Sequence, residues 1–137
     1  MRFLLLAAIA LCCTAANADV YKCPPTYPDK DRPSVPLTGG RIMDGELHGN
    51  GWLMGGEDKP TKNGFDTVYS FEQGNGWLVC LYGGRKRTKT DVGFPGYDWW
   101  LKLGAKESLC TMQNREVKTD DPKKSTWTAV AVCTSQP

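Results

Sequence analysis

The placement of the cysteines constrains the fold of this 137-residue chain more than any other feature of its sequence. Of the six cysteines, two lie in an apolar N-terminal segment. The others are spread along the rest of the chain: Cys23, Cys80, Cys110 and Cys133. An even set in an exported chain predicts two disulfides, and no pair has the Cys-x-x-Cys spacing of redox enzymes or zinc ribbons. Three pairings are possible. We favour Cys23–Cys80 with Cys110–Cys133, because the first pair would tie the irregular N-terminal arm to a central strand.

The N-terminus has the pattern of a cleavable secretory signal. Arg2 supplies a positive charge, and the apolar run over residues 3–13 is shorter than the roughly 20 residues that a membrane-spanning helix needs. Ala16-Asn17-Ala18 offers the small-x-small cleavage pattern. We therefore predict a signal peptide over 1–18, cleaved after Ala18, and one mature domain over 19–137 with no membrane span. The chain has no Asn-x-Ser/Thr acceptor, which fits a bacterial periplasm.

The mature chain has the pattern of short β-strands separated by turns. Residues 24–38 are rich in proline and predict an extended arm. Residues 66–72 and 77–82, joined by Gly-Asn-Gly, predict a β-hairpin whose second strand is apolar on both faces and therefore central. Residues 126–133 predict the last strand. The expected fold is mainly all-β: a small antiparallel meander, sandwich or open barrel of about six to seven strands, with a Pro-rich N-terminal arm and two disulfides.

The sequence contains no recognisable catalytic or metal-binding motif. The formal net charge of +2 gives no electrostatic footprint for nucleic acid. The one histidine, His48, lies in a glycine-rich turn and is predicted at the surface, outside any nucleophilic site. The acidic residues lack the spacing of a calcium loop. We therefore predict no catalytic residues, no metal and no cofactor, and expect that the protein is not an enzyme. A hydrolase with two carboxylates distant in sequence is the enzyme alternative.

Residues 85–97 combine features of a protein-binding surface. Arg85 and Arg87 belong to a basic run that suits an acidic partner, although such a run also suits a charged edge strand that prevents aggregation. Phe94 and Tyr97 flank Pro95-Gly96, which would hold the two rings outward, although they could instead cover the core from a loop. We predict Arg85, Arg87, Phe94 and Tyr97 as partner-binding residues.

Several short motifs resemble those of a known protein family. They are Cys23-Pro24 near the mature start, the Asp44-Gly45 turn, the strand Trp77-Leu78-Val79-Cys80-Leu81-Tyr82, and two later cysteines with the last near the C-terminus. The chain resembles a family of small exported, four-cysteine bacterial proteins found beside type VI secretion genes. The resemblance spans nearly the whole mature chain except residues 85–100. It implies a periplasmic immunity protein that neutralises a cell-wall-targeting, L,D-transpeptidase-like effector.

Two other binding functions remain open at this stage. The start Val20-Tyr21-Lys22-Cys23 resembles that of lysozyme inhibitors, although their inhibitory loop motif is absent. A glycan- or ligand-binding module could use Trp99 or Trp100 as a surface platform. The expected partner is in each case extracytoplasmic, and the sequence leaves the oligomeric state undetermined.

Overall fold

Two antiparallel β-sheets make up the fold. The computed structural model describes residues 17–31, 34–49, 51, 53, 55–84, 96–121 and 125–135. Within these residues the strands are β1 (Asp19–Lys22), β2 (Leu37–Asp44), β3 (Lys59–Thr61), β4 (Gly64–Ser70), β5 (Gly76–Tyr82), β6 (Tyr97–Lys102), β7 (Leu109–Val117) and β8 (Thr126–Thr134). The all-β prediction is confirmed, with eight described strands in place of six or seven.

The two sheets face each other across one core. The larger sheet has the strand order β1-β8-β7-β4-β3, and the smaller sheet has the order β2-β5-β6. Strand β2 lies over β7 and β8, which brings the sheets together there. The core between them includes Ile42 and Leu78 of the smaller sheet and Met112 of the larger one, each at most 1% exposed. The result is an open two-sheet arrangement and not a closed barrel.

The predicted hairpin over residues 66–82 is wrong. Strands β4 and β5 follow each other in the chain but belong to different sheets, β4 pairing with β3 and β7 and β5 with β2 and β6. The apolar character of β5 explains this, because Leu78 and Val79 point to opposite faces and both are 0% exposed. Such a strand needs neighbours on both edges and cover on both faces. The turn carries the chain from one sheet to the other, with Gly74 at φ +79°.

Strand β2 begins earlier than the sequence suggests. The sequence pattern predicts that Gly39-Gly40 ends the N-terminal arm, but both residues lie inside β2. A Cβ on Gly40 would stand 2.9 Å from both Ala129 Cβ and Met112 Cε. Glycine at this position therefore lets the backbone of β2 approach the larger sheet closely. The pattern also does not predict the short strands β1 and β3, or the extension of β7 to Val117.

Both favoured disulfides are confirmed. Cys23, just after β1, is bonded to Cys80 of β5 and so joins the two sheets. Cys110 of β7 is bonded to Cys133 of β8 within the larger sheet. Two disulfides indicate an oxidising environment, extracellular or periplasmic. The described residues include no helix that is long and apolar enough to cross a membrane.

An asparagine makes a second, non-covalent link between the sheets. Asn114 of β7 is 2% exposed. Its Oδ1 accepts a hydrogen bond from the Gly40 backbone N–H at 2.8 Å, and its Nδ2 donates to the Gly40 carbonyl at 3.1 Å. Both backbone groups point away from the neighbouring strand β5. The side chain of Asn114 thus takes the place of a missing strand at this edge of β2.

Candidate binding cleft

A cleft of about 630 Å³ opens where the two sheets diverge. It is lined by residues 38–41 of β2, residues 81–84 at the end of β5, residues 96–98 at the start of β6, and Phe65, Asn114 and Trp127 of the larger sheet. The lining therefore comes from both sheets, and no single stretch of sequence contains it. A concave, partly aromatic surface with a few polar groups is the usual form of a binding site.

The wall formed by the larger sheet is aromatic. Phe65 pairs with Asn114 in the β4–β7 register, and Trp127 lies on the same face of β8. The ring centroids of Phe65 and Trp127 are 6.4 Å apart. The two rings lie on either side of β7 and make an apolar floor next to the polar Asn114 side chain.

On the opposite rim, Tyr97 is supported by two further tyrosines. Tyr97 at the start of β6 is 38% exposed, and its ring centroid lies 5.4 Å from that of Tyr27 in the N-terminal arm. Tyr27 in turn meets Tyr82 edge to face, again at 5.4 Å. Tyr82 is 0% exposed and its hydroxyl donates to the Pro24 carbonyl at 2.9 Å. The partly exposed ring of Tyr97 therefore packs against Tyr27, which in turn packs against the buried Tyr82.

Among the residues that the structure describes, one cation, Arg41, and one anion, Asp98, line the cleft. Burial lowers the pKa of the half-buried Arg41 guanidinium from its ordinary value, and the nearby Asp98 carboxylate acts in the opposite direction. An arginine guanidinium is charged at neutral pH. Asp98 also accepts a hydrogen bond from the Trp100 indole at 3.1 Å. The cleft thus offers charges of both signs beside aromatic surfaces.

The rim is held by close backbone packing. A Cβ on Gly96 would stand 2.0 Å from the Tyr82 carbonyl oxygen, so only glycine permits this approach. The Thr38 hydroxyl contacts two carbonyl oxygens, that of Leu81 at 3.1 Å and that of Gly83 at 3.2 Å. These contacts position the ends of β5 and β6 beside β2.

The predicted partner-binding residues are only partly described by the structure. Tyr97 lies on the rim of the cleft, at the start of β6, and is partly exposed. Arg85, Arg87 and Phe94 lie outside the described residues. The residues that flank this segment, Gly84 and Gly96, both line the cleft.

Other expectations for single side chains can be checked directly. His48 is exposed, as predicted, and its ring centroid lies 5.3 Å from that of Trp100. Trp99 packs against the hydrophobic core, so of the two tryptophans proposed as a glycan platform only Trp100 lies on the outer face. Sequence patterns do not single out Arg41 and Phe65 as site residues, because neither belongs to a local motif and only the packing of the sheets brings them together.

The buried tyrosine of the rim predicts a loss of stability at alkaline pH. Burial raises the pKa of Tyr82 to about 12, and the Tyr27 phenol acts in the same direction. An unfolded tyrosine loses its proton near pH 10, so the unfolding free energy should fall as pH rises from about 10 through about 12. Tyr82→Phe should reduce this fall, measured by urea unfolding at about pH 9 and about pH 11.5. An equal fall in both proteins would contradict the assignment.

Comparisons with known proteins leave the cleft as the main guide to function. Among the described residues, no group of three or more His, Cys, Asp or Glu side chains could hold a metal ion. No protein family model matches the chain, and no curated protein or solved structure matches it either.

Proposed function

We propose that this protein is an exported binding protein that inhibits a cell-wall-directed enzyme, as the immunity protein of an L,D-transpeptidase-like type VI effector. The observation that carries the proposal is the placement of Tyr97, an exposed ring supported by two further tyrosines at the rim of a cleft. Tyrosine is among the residues that dominate binding energy in protein–protein interfaces.

The surroundings of Tyr97 favour a tightly held protein partner. Its ring is already ordered by Tyr27, so little side-chain freedom is lost when a partner covers it. Arg41 and Asp98 lie at the same cleft and can pair with charges on the partner. Arg85, Arg87 and Phe94 belong to the segment between two residues of the cleft, Gly84 and Gly96, and we propose them as additional contacts.

The compartment implied by the disulfides agrees with this role. Stable disulfides require an oxidising environment, and the predicted signal peptide would deliver the mature chain from Asp19 to the periplasm. Cell-wall enzymes and the effectors that imitate them act in that compartment. We therefore propose periplasmic localisation after cleavage behind Ala18.

The role of Tyr97 can be tested with one substitution and a matched control. Tyr97→Ala should weaken the complex with an L,D-transpeptidase-like effector enzyme by about 2 kcal/mol or more, roughly 30-fold in Kd, measured by calorimetry. Val68→Ala is the control, because Val68 is also 38% exposed but lies on the outer face of the larger sheet. It should leave the affinity unchanged.

The partner that the protein binds in these experiments distinguishes the inhibitor function from its alternatives. Tight binding that both variants retain would keep the inhibitor function and move the site away from Tyr97. Inhibition of a purified lysozyme would favour the lysozyme-inhibitor alternative. The absence of any protein partner, together with retention on a polysaccharide column that Trp100→Ala abolishes, would favour glycan binding through the Trp77–Trp100 pair, whose ring centroids are 6.0 Å apart.

A further inference from the structure

Strand β6 presents a complete backbone edge to the outside of the smaller sheet. The Leu103 N–H donates to the Gly76 carbonyl at 3.1 Å, which sets the hydrogen-bonding phase of the β5–β6 ladder. Because that phase alternates, the N–H and C=O groups of Asp98, Trp100 and Lys102 point away from β5. Within the described parts of the chain, no strand or loop pairs with these groups.

The other three edge strands of the described fold are shorter or already covered. Strand β1 has four residues, and β3 has three residues with Pro60 at its centre. On β2, the outward groups of Gly40 are bonded to Asn114, and the Asp44 N–H donates to the Gly51 carbonyl. The six-residue β6 is therefore the described edge best suited to pair with another strand.

Three side chains on the outer face of β6 are arranged for one particular pairing. Trp99 and Leu101 pack against the core, so the alternating residues Asp98, Trp100 and Lys102 share the opposite face. Charges on an edge strand oppose pairing in most registers. In an antiparallel register centred on Trp100, however, Asp98 of each chain lies opposite Lys102 of the partner subunit, and opposite charges directly across a ladder are favourable.

We propose that β6 pairs with β6 of a second copy of this chain in that register, forming a two-fold symmetric dimer. The residues opposed in this register are also those whose backbone groups point outward, so each opposed pair can exchange two N–H···O bonds. The two smaller sheets then become one continuous sheet. A two-fold interface requires a self-complementary surface. Strand β6 is self-complementary, because an acidic residue lies two positions before Trp100 and a basic residue lies two positions after it.

Charge reversal tests this register without depending on any other partner. The exported, oxidised protein should dimerise in the micromolar range in sedimentation equilibrium. Asp98→Lys alone places two lysine side chains opposite each other at both ends of the paired strands, and Lys102→Asp alone does the same with two aspartates. Each variant should raise the dimer Kd about tenfold or more. An equimolar mixture of the two variants should restore dimers. In the mixed dimer one chain carries lysine at both positions and the other carries aspartate at both, so each charged pair is attractive.

The mixing result separates the interface from effects on the monomer. Asp98 accepts from the Trp100 indole, and the Lys102 ammonium lies 4.5 Å from the Trp77 ring centroid, so each single change also alters contacts inside one chain. Adding the other variant cannot restore contacts that are lost within one chain, so recovery on mixing must come from the interface. Trp100→Pro is a second, charge-independent variant, because it removes an outward N–H and no β5 bond, and it should abolish dimers.

The proposal has clear outcomes against it. A protein that stays monomeric throughout the micromolar range overturns it, as does a dimer unaffected by either charge reversal or by Trp100→Pro. Single variants that lose the dimer without recovery on mixing would place the interface elsewhere. Asp98 belongs both to the cleft and to this edge, so the inhibitor function is tested separately, by Tyr97→Ala, which changes none of the three residues opposed in the dimer.

Discussion

Removal of the Cys23–Cys80 disulfide should lower the free energy of unfolding by about 4 kcal/mol. The bond closes a loop with a sequence separation of 57 and joins the two sheets. In the chain-entropy account, losing it increases the freedom of the unfolded chain by an amount that grows with loop length. Cys80, Cys110 and Cys133 are each 0% exposed, so truncation to alanine leaves small voids both in this variant and in the control described next.

Urea unfolding of the oxidised protein, followed by tryptophan fluorescence, measures this effect. The variant is the double change Cys23→Ala with Cys80→Ala, so that no free thiol remains. The matched control is Cys110→Ala with Cys133→Ala. It opens a loop with a sequence separation of 23 within one sheet and should lower the free energy of unfolding by about 3.4 kcal/mol. A larger loss in the control than in the first variant would show that linking the sheets is not the main contribution.

Asn114→Leu should lower the free energy of unfolding by about 2 to 6 kcal/mol, even though leucine has the same branched shape. The Asn114 amide satisfies both the N–H and the C=O of Gly40, at 2.8 and 3.1 Å. Leucine can satisfy neither, and each buried polar group left without a partner costs about 1 to 3 kcal/mol. The close approach at Gly40 leaves the strand little room to shift.

The neighbouring residue provides the control for this substitution. Gln113 lies on the outer face of β7, so Gln113→Leu adds the same side chain at the adjacent position without touching the link to Gly40. Its effect should be within about 0.5 kcal/mol. The same urea titration serves for both variants. Equal losses would indicate that leucine is poorly accepted in β7 generally, and that the amide has no special role.

Much of the local structure could be predicted from particular residues. The alternating and apolar stretches predicted most of the longer strands, including the final strand that ends near Cys133. The two-sided apolar character of residues 77–82 predicted a central strand, and β5 is central. The disulfide pairing followed from the expectation that Cys23 anchors the arm to that strand. These predictions depend on burial and alternation, which are local properties of a sequence.

The wrong predictions concern which strands pair with each other more than where the strands lie in the sequence. Gly74-Asn75-Gly76 is compatible with a tight hairpin, yet the chain at this point passes from one sheet to the other. A turn motif limits the backbone angles at the turn but does not determine whether the flanking strands bond to each other. The prediction that Gly39-Gly40 ends the arm fails for a similar reason. Glycine serves both to end a strand and to allow close packing, and only the neighbouring sheet distinguishes the two.

The sequence by itself determined that this chain forms β-strands closed by two disulfides, because strand patterns and cysteine positions are properties of neighbouring residues. It also indicated Tyr97 as an exposed aromatic. Only the tertiary structure decided that Arg41, Phe65 and Trp127 line one cleft and that β6 is an edge strand among the described strands. These features depend on which strands pair across long separations, and such contacts are selected by the free energy of the whole packed arrangement and not by any single segment.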